Sequence, residues 1–196
     1  VSFVAGALQS LNRTARYRGF CSALEDVGLD PADQAQWPGM ESIPAGAAEA
    51  AEVGRVAITE LLSGENPPTA VIAINDMTAL GVCAGIRALG LTIGRDVSVV
   101  GFDDNEDARS ASPSLATVRQ PYWDMADRAL EFIARSIAGN SMSQQHLSPS
   151  HFIPRRSCGC LSEGAPAATQ VSLPAAPPPL AAALAHRPRA PSPHLE

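Results

Sequence analysis

Two apolar runs in this chain stop abruptly at hydrogen-bonding side chains: AVIAIND at residues 70–76 and VSVVGFDD at residues 97–104. A third run, LATVR at 115–119, is followed by Gln120 and then broken by Pro121. If the three are parallel strands, Asn75, Asp76, Asp103, Asp104 and Gln120 all emerge on one edge, at the carboxyl ends where open α/β sheets bind their ligands. The Asp103 carboxylate, ionised at neutral pH, accepts protons from two hydroxyls, and the amides of Asn75 and Gln120 both donate and accept. Such a set suits a polyhydroxylated ligand.

These side chains do not carry equal weight. Asp76 stands where a helix must begin and is read as its N-cap, and Asp104 as a residue that shapes the turn. No helix begins beside Asp103, which is therefore assigned to a ligand. The adjacent carboxylates suggest acid–base chemistry, but neighbours on an extended segment point to opposite sides and do not share a substrate. The sequence also holds no G-x-G-x-x-G, no phosphate-binding loop and no G-x-S-x-G nucleophile turn. It is read as a binding protein, with no catalytic residues and no cofactor.

The elements that must position these residues follow from periodicity. Residues 1–5 form a short apolar run closed by Gly6, and a polar loop holds Gln9, Ser10 and Asn12. Tyr17, Phe20, Cys21, Leu24 and Val27 then recur at helical spacing up to Gly28. A brief strand is expected at 34–37 and loop over 38–51. A helix over 52–62 presents Val53, Val56, Ala57, Ile58, Leu61 and Leu62 on one face, and Asn66-Pro67-Pro68 ends it before the strand at Ala70. The helix over 77–89 carries Leu80, Cys83, Ala84 and Ile86 or Arg87 at core spacing, with Gly90 closing it. Strand, helix and strand joined this tightly make a βαβ unit, hence a parallel sheet flanked by helices, an α/β fold. A last helix over 122–138 places Met125, Ala129, Leu130, Phe132, Ile133 and Ile137 on a face that demands a packing surface.

Composition narrows the function classes. The chain's 196 residues, 45% of them hydrophobic, suffice for one ordinary domain core. No run reaches the ~18 residues of a bilayer span, so no membrane partner is expected, and the absence of a secretory leader makes a cytoplasmic location the default. A net charge of −6 with scattered Lys and Arg leaves no surface for gripping nucleic acid. Cys21 and Cys83 read as core filler. Cys158 and Cys160 beside His151 match no standard zinc spacing, so no metal is assigned. From residue 161 to 196, Pro and Ala dominate without periodicity, which predicts a disordered tail; its final Leu195-Glu196 resembles a vector remnant.

Taken in order, R-x-R-G-F-x-x-A-L-x-x-x-G (16–28), P-T-A-V-I-A-I-N-D-x-x-A-L-G (68–81), G-L-x-I-G-x-D-V-S-V-V-G-F-D-D (90–104) and P-S-L-A-T-V-R-Q (113–120) resemble the LacI/GalR family of bacterial transcription repressors. Four motifs at family-like spacing, spread over residues 1–157, make the resemblance specific. It implies a periplasmic-binding-protein-like type I core of two lobes, of which this chain is mainly the C-terminal lobe: a partial effector-binding domain over 1–160.

The resemblance also implies the site. It assigns effector contacts to Arg16 before the first helix, Asn75, Asp103, Gln120, and Ser10 and Asn12 in the early loop. Where such proteins stack an aromatic ring on the effector, this chain has Glu49, with Trp37 as the alternative ring. The implied partners are a small-molecule effector, a sugar or related polyol, and a second subunit of a homodimer. Operator DNA is expected to be met only through a helix-turn-helix domain outside this chain, and the 122–138 helix is expected to expose the face it would lay on the other lobe. Two other readings remain at this point: a sugar-binding protein of a transport system, sharing the fold outside the cytoplasmic membrane, and an inactive truncated fragment.

Overall fold

A computed structural model describes residues 1–6, 8, 10–34, 36–37, 46–139 and 147–161. The expected tail beyond residue 161, Gln9 and the 38–45 part of the expected loop lie outside them. Strands β1 (Ser2–Val4), β2 (Gln36–Trp37), β3 (Ala70–Ala73) and β4 (Ser98–Val100) form one sheet in the order β2-β1-β3-β4, and every neighbouring pair is parallel. Helix α1 (Leu11–Asp26) links β1 to β2, α2 (Ala47–Leu62) links β2 to β3 and α3 (Asp76–Ala88) links β3 to β4.

Side chains alternate across a strand, and the core divides accordingly. Val4, Val71, Ala73 and Val99 turn to one face, under Val53, Ala57, Ile58, Val82 and Ile86 of α2 and α3. Phe3, Ala5, Ile72 and Ile74 turn to the other, under Phe20 and Leu24 of α1. Helices cover both faces of a parallel sheet, as expected. The two helices of the first face touch backbone to backbone: a Cβ on Gly54 would lie 2.0 Å from the Thr78 carbonyl oxygen, and one on Gly81 would lie 1.8 Å from that of Ala51. Only glycine fits at either place.

Several expectations require correction. Helix α2 begins at Ala47, so residues 47–51 are helical, their alanines favouring helix over the loop read from neighbouring Pro and Gly. The N-cap of α3 is Asn75, whose side-chain oxygen accepts the Thr78 N–H at 2.8 Å, while Asp76 lies in the first turn, fully buried. Ala84 is exposed, and Ala79 and Val82 fill the core stripe. Trp37 is buried in the core and donates its indole N–H to Glu60 at 2.6 Å, so its ring is not offered to a ligand. Cys158 and Cys160, which carried no pairing signal in the sequence, are joined as a disulfide.

The chain then leaves the sheet. A short helix α4 (Glu106–Ser110) is followed by β5 (Thr117–Arg119), which meets β4 through a single parallel bridge, Val100 to Ala116, and pairs antiparallel with β6 (His151–Ile153). Helix α5 (Tyr122–Ile137) departs from β5 and buries none of its residues: Met125, Leu130, Phe132, Ile133 and Ile137 are all exposed, the uncovered face its periodicity announced. No helix among the described residues is long and apolar enough to cross a membrane.

Candidate functional site

The carboxyl ends of β3 and β4 converge on Arg16. Its guanidinium lies 3.7 Å from the centre of the Phe102 ring, Nη1 donates to the Ile74 carbonyl oxygen at 2.5 Å, and Nη2 stands 3.6 Å from Asp103 Oδ1. An aromatic face, a backbone dipole and a carboxylate thus hold one cation in place. Arg16 sits inside α1, one turn past its start, and not ahead of it as the resemblance implied. A planar fork aimed along the strand ends is suited to ligand oxygens.

Asp103 is the other pole. It adopts φ 115°, a conformation costly for any residue with a Cβ, and its N–H donates to the Val118 carbonyl at 2.9 Å. Gln120 donates Nε2 to Asp103 Oδ1 at 2.6 Å and to the Tyr122 hydroxyl at 3.0 Å. Burial raises the Asp103 pKa, and Arg16 and Gln120 pull it back in part. Burial lowers that of Arg16, opposed by Asp103. The side chains of Arg16 and Asp103 keep 26% and 32% of their surface exposed, enough for a solute to reach them while part of their water is already stripped.

The next residue faces a different environment. Asp104, also at positive φ, has a fully buried side chain that accepts from Arg155 at 2.5 Å, Arg119 at 2.5 Å and Arg109 at 3.1 Å. Burial pushes its pKa up, but the hydrogen bonds from Arg155, Arg109 and Arg119 outweigh it and hold the group at about 2. Behind it, buried Asp76 accepts the Thr117 hydroxyl at 2.6 Å and the Asn105 N–H at 2.9 Å. Its pKa is raised by burial, against those two bonds. These carboxylates pin α3, α4 and β5 to the end of β4. The segment is not extended at this point, yet the two neighbouring aspartates do point apart.

Of the six residues assigned from sequence, the structure brings Arg16, Asp103 and Gln120 together. Asn75 is one residue from the Ile74 carbonyl, with its side-chain oxygen engaged in the α3 cap. Ser10 caps α1, accepting the Arg13 N–H at 3.2 Å, and Asn12 lies exposed in the first turn of that helix. Among the described residues neither bonds to the cluster. Phe102 and Tyr122 belong to it and were missed. Each is adjacent or next but one to a polar residue that was noticed, which is the signal that would have found them. Among the described residues no group of His, Cys, Asp and Glu is arranged to hold a metal.

Comparison with known proteins follows from this geometry. Residues 3–158 match the sequence profile of the periplasmic binding protein-like domain. The HTH-type transcriptional repressor PurR of Serratia proteamaculans is 30% identical over 145 residues, 74% of this chain and 40% of that protein. The lactose operon repressor of Escherichia coli is 26% identical over 158 residues, 80% of this chain and 41% of that protein. Among solved structures, the Lac repressor bound to ONPG in its repressed state is similar with TM-score 0.67 and 27% identity over 80% of this chain and 44% of that one. A LacI family transcriptional regulator from Enterococcus faecium with bound ribose is similar with TM-score 0.69 and 25% identity, over 82% of this chain and 57% of that one. The chain spans about 40% of the length of the curated relatives it matches.

Proposed function

This chain belongs to the LacI/GalR family of periplasmic binding protein-like domains, and from that premise we propose that it is the effector-binding part of a transcriptional regulator. The observation that carries the reading is Arg16, fixed by Ile74, Phe102 and Asp103 at the carboxyl ends of two parallel strands. Arg16 donates to ligand oxygens. Asp103 accepts from ligand hydroxyls, and since its bonds to Arg16 and Gln120 both fall on Oδ1, Oδ2 is the edge offered. Asn75, Ser10 and Asn12 complete the contacts, and Tyr122 closes the side next to Gln120. The ligand is a sugar or related polyol, recognised without catalysis. Residues 1–160 form this partial domain.

In the regulator, effector held between this lobe and a second one favours one inter-lobe arrangement, and its difference in affinity for the two arrangements sets operator binding through a separate DNA-binding domain. The uncovered face of α5 supports a second lobe laid upon it, since a stripe of five large apolar side chains is not left to solvent in a working protein. The protein acts in the cytoplasm as a homodimer. Titration calorimetry of the regulator against pentoses, hexoses and nucleobases tests the reading: at least one sugar binds, and Asp103→Ala abolishes or weakens that binding. Equal affinity in Asp103→Ala and parent removes the assignment.

A further inference from the structure

At the opposite end of β4 from Asp103, the backbone of residues 158–160 crosses that of Gly94. A Cβ on Gly94 would lie 2.5 Å from the Arg156 carbonyl oxygen, and one on Gly159 would lie 2.4 Å from that of Gly94. Ser98, the first residue of β4, donates its hydroxyl to the Cys158 carbonyl at 3.1 Å. The turn pressed into this seam carries the disulfide between Cys158 and Cys160. A depression of about 300 Å³ opens beside it, lined by Ile93, Gly94, Arg95, Pro113, Arg156, Gly159 and Leu161.

The bond is poorly placed to stabilise the fold. A cross-link restrains the unfolded chain less as its loop shortens, and this one spans a single intervening residue. Its surroundings instead accommodate both redox states. Cys158 Sγ lies 3.1 Å from the Arg155 carbonyl oxygen and Cys160 Sγ lies 3.7 Å from that of Cys158, so each thiol, once formed, has an acceptor. The two sulfurs are also inequivalent. The Cys160 N–H points at Cys158 Sγ from 3.4 Å, so that sulfur has both a donor and an acceptor beside it, whereas Cys160 Sγ has the Cys158 carbonyl oxygen. Cys160 is flanked on both sides by residues that line the depression, Gly159 and Leu161.

We propose that Cys158 and Cys160 are a thiol–disulfide exchange site served by this depression, whose Arg156 and apolar wall take an anionic low-molecular-weight thiol of the glutathione class, Arg95 being held by Asp96 at 2.9 Å. The thiolate attacks Cys160 Sγ, the Cys158–Cys160 bond breaks, and Cys158 leaves as a thiolate while a mixed disulfide forms on Cys160. A second thiolate attacks the small molecule's sulfur and releases Cys160, so the pair gains two electrons and two protons and two thiols become one disulfide. The reverse sequence, with the small disulfide as oxidant, closes the bond. The state is felt across the fold: Arg155, three residues before Cys158, reaches Asp104, and Ser157 bridges the Val99 carbonyl at 2.7 Å and the Ala116 N–H at 2.8 Å. In a protein acting in the cytoplasm, the location proposed above, a disulfide is of the transient kind; the exchange itself does not depend on that location.

The test equilibrates the whole chain in buffers of increasing reduced-to-oxidised glutathione ratio, quenches, alkylates free thiols and reads each cysteine by mass spectrometry. Residues 158 and 160 are expected to pass together from protected to doubly alkylated. A pair that stays open in the most oxidising buffer, or closed under excess dithiothreitol, overturns the proposal. In Cys158→Ser, a glutathione adduct accumulates on Cys160; its absence in folded protein does the same. Arg156→Ala is expected to slow exchange with glutathione several-fold and leave exchange with neutral 2-mercaptoethanol unchanged, and an equal effect on both thiols contradicts the anionic seat.

Discussion

Asp103 and Asp104 are neighbours in sequence, identical in type and both at positive φ, yet they occupy opposite regimes. Asp104 is closed off under Arg109, Arg119 and Arg155, and Asp103 looks onto a half-exposed edge beside Arg16 and Gln120. Removing a buried partner strands the charges it neutralised, whereas a half-exposed pair is largely screened by water. One carboxylate therefore holds the fold and the other is available to a ligand. Position along the chain does not decide which is which; the cations that surround each do.

The comparison breaks most visibly at Asp104. Asp104→Ala is expected to cost about 2–4 kcal/mol in urea unfolding, below the upper end for a buried pair because Arg109 and Arg119 are half-exposed. Asp103→Ala is expected to cost less than about 1 kcal/mol in the same measurement. Equal losses would erase the distinction. In ligand affinity the order reverses: Asp103→Ala loses about 1.5–3 kcal/mol, on the order of tenfold to a hundredfold in Kd, read by calorimetry.

Acid sharpens the contrast because the two groups shift in opposite directions. Asp104 is lowered from 3.8 to about 2, so its contribution to stability is complete above the unfolded value and is lost as pH falls from about 4 toward 2. The gap in urea midpoint between parent and Asp104→Asn should be constant at neutral pH and close over that window. Asp103, raised in the fold, behaves with the opposite sign: its contribution is present below the ordinary carboxylate value and lost as pH rises through the raised one. The parent should therefore gain stability relative to Asp103→Asn as pH falls, the reverse of the change at Asp104. The smallest effect belongs to Tyr122→Phe, which removes a hydroxyl bonded to Gln120. Affinity should weaken by about 0.5–1.5 kcal/mol with the unfolding midpoint unchanged.

Much of this architecture was legible because it is local. The apolar runs before Asn75 and Asp103, the faces of α2 and α3, and the glycines at 28 and 90 with φ of 76° and 75° all follow from periodicity and turn chemistry. So does the uncovered stripe of α5. What failed depends on contacts distant in sequence. Asp76 was read as a cap because an acid beside a helix start usually is one, but Thr117 lies 41 residues away and draws it inward, leaving the cap to Asn75. The antiparallel pairing of β5 with β6 was unseen, since the HFI strand is too short to register. Trp37 was offered as a ligand platform, and only the fold reveals Glu60 taking its indole N–H. Asp103 and Gln120 follow from their places at strand ends and Arg16 from the family resemblance, while Phe102 and Tyr122 join them only through contacts made by the folded chain.

A structure of the protein with the tightest-binding sugar from the calorimetric panel tests the central claim most directly. Ligand oxygens are expected at hydrogen-bond distance from both the Arg16 guanidinium and the Asp103 carboxylate, with the Asp104 cluster unchanged. A sugar seated elsewhere, or one that leaves Arg16 and Asp103 bonded only to each other and to Gln120, contradicts the account.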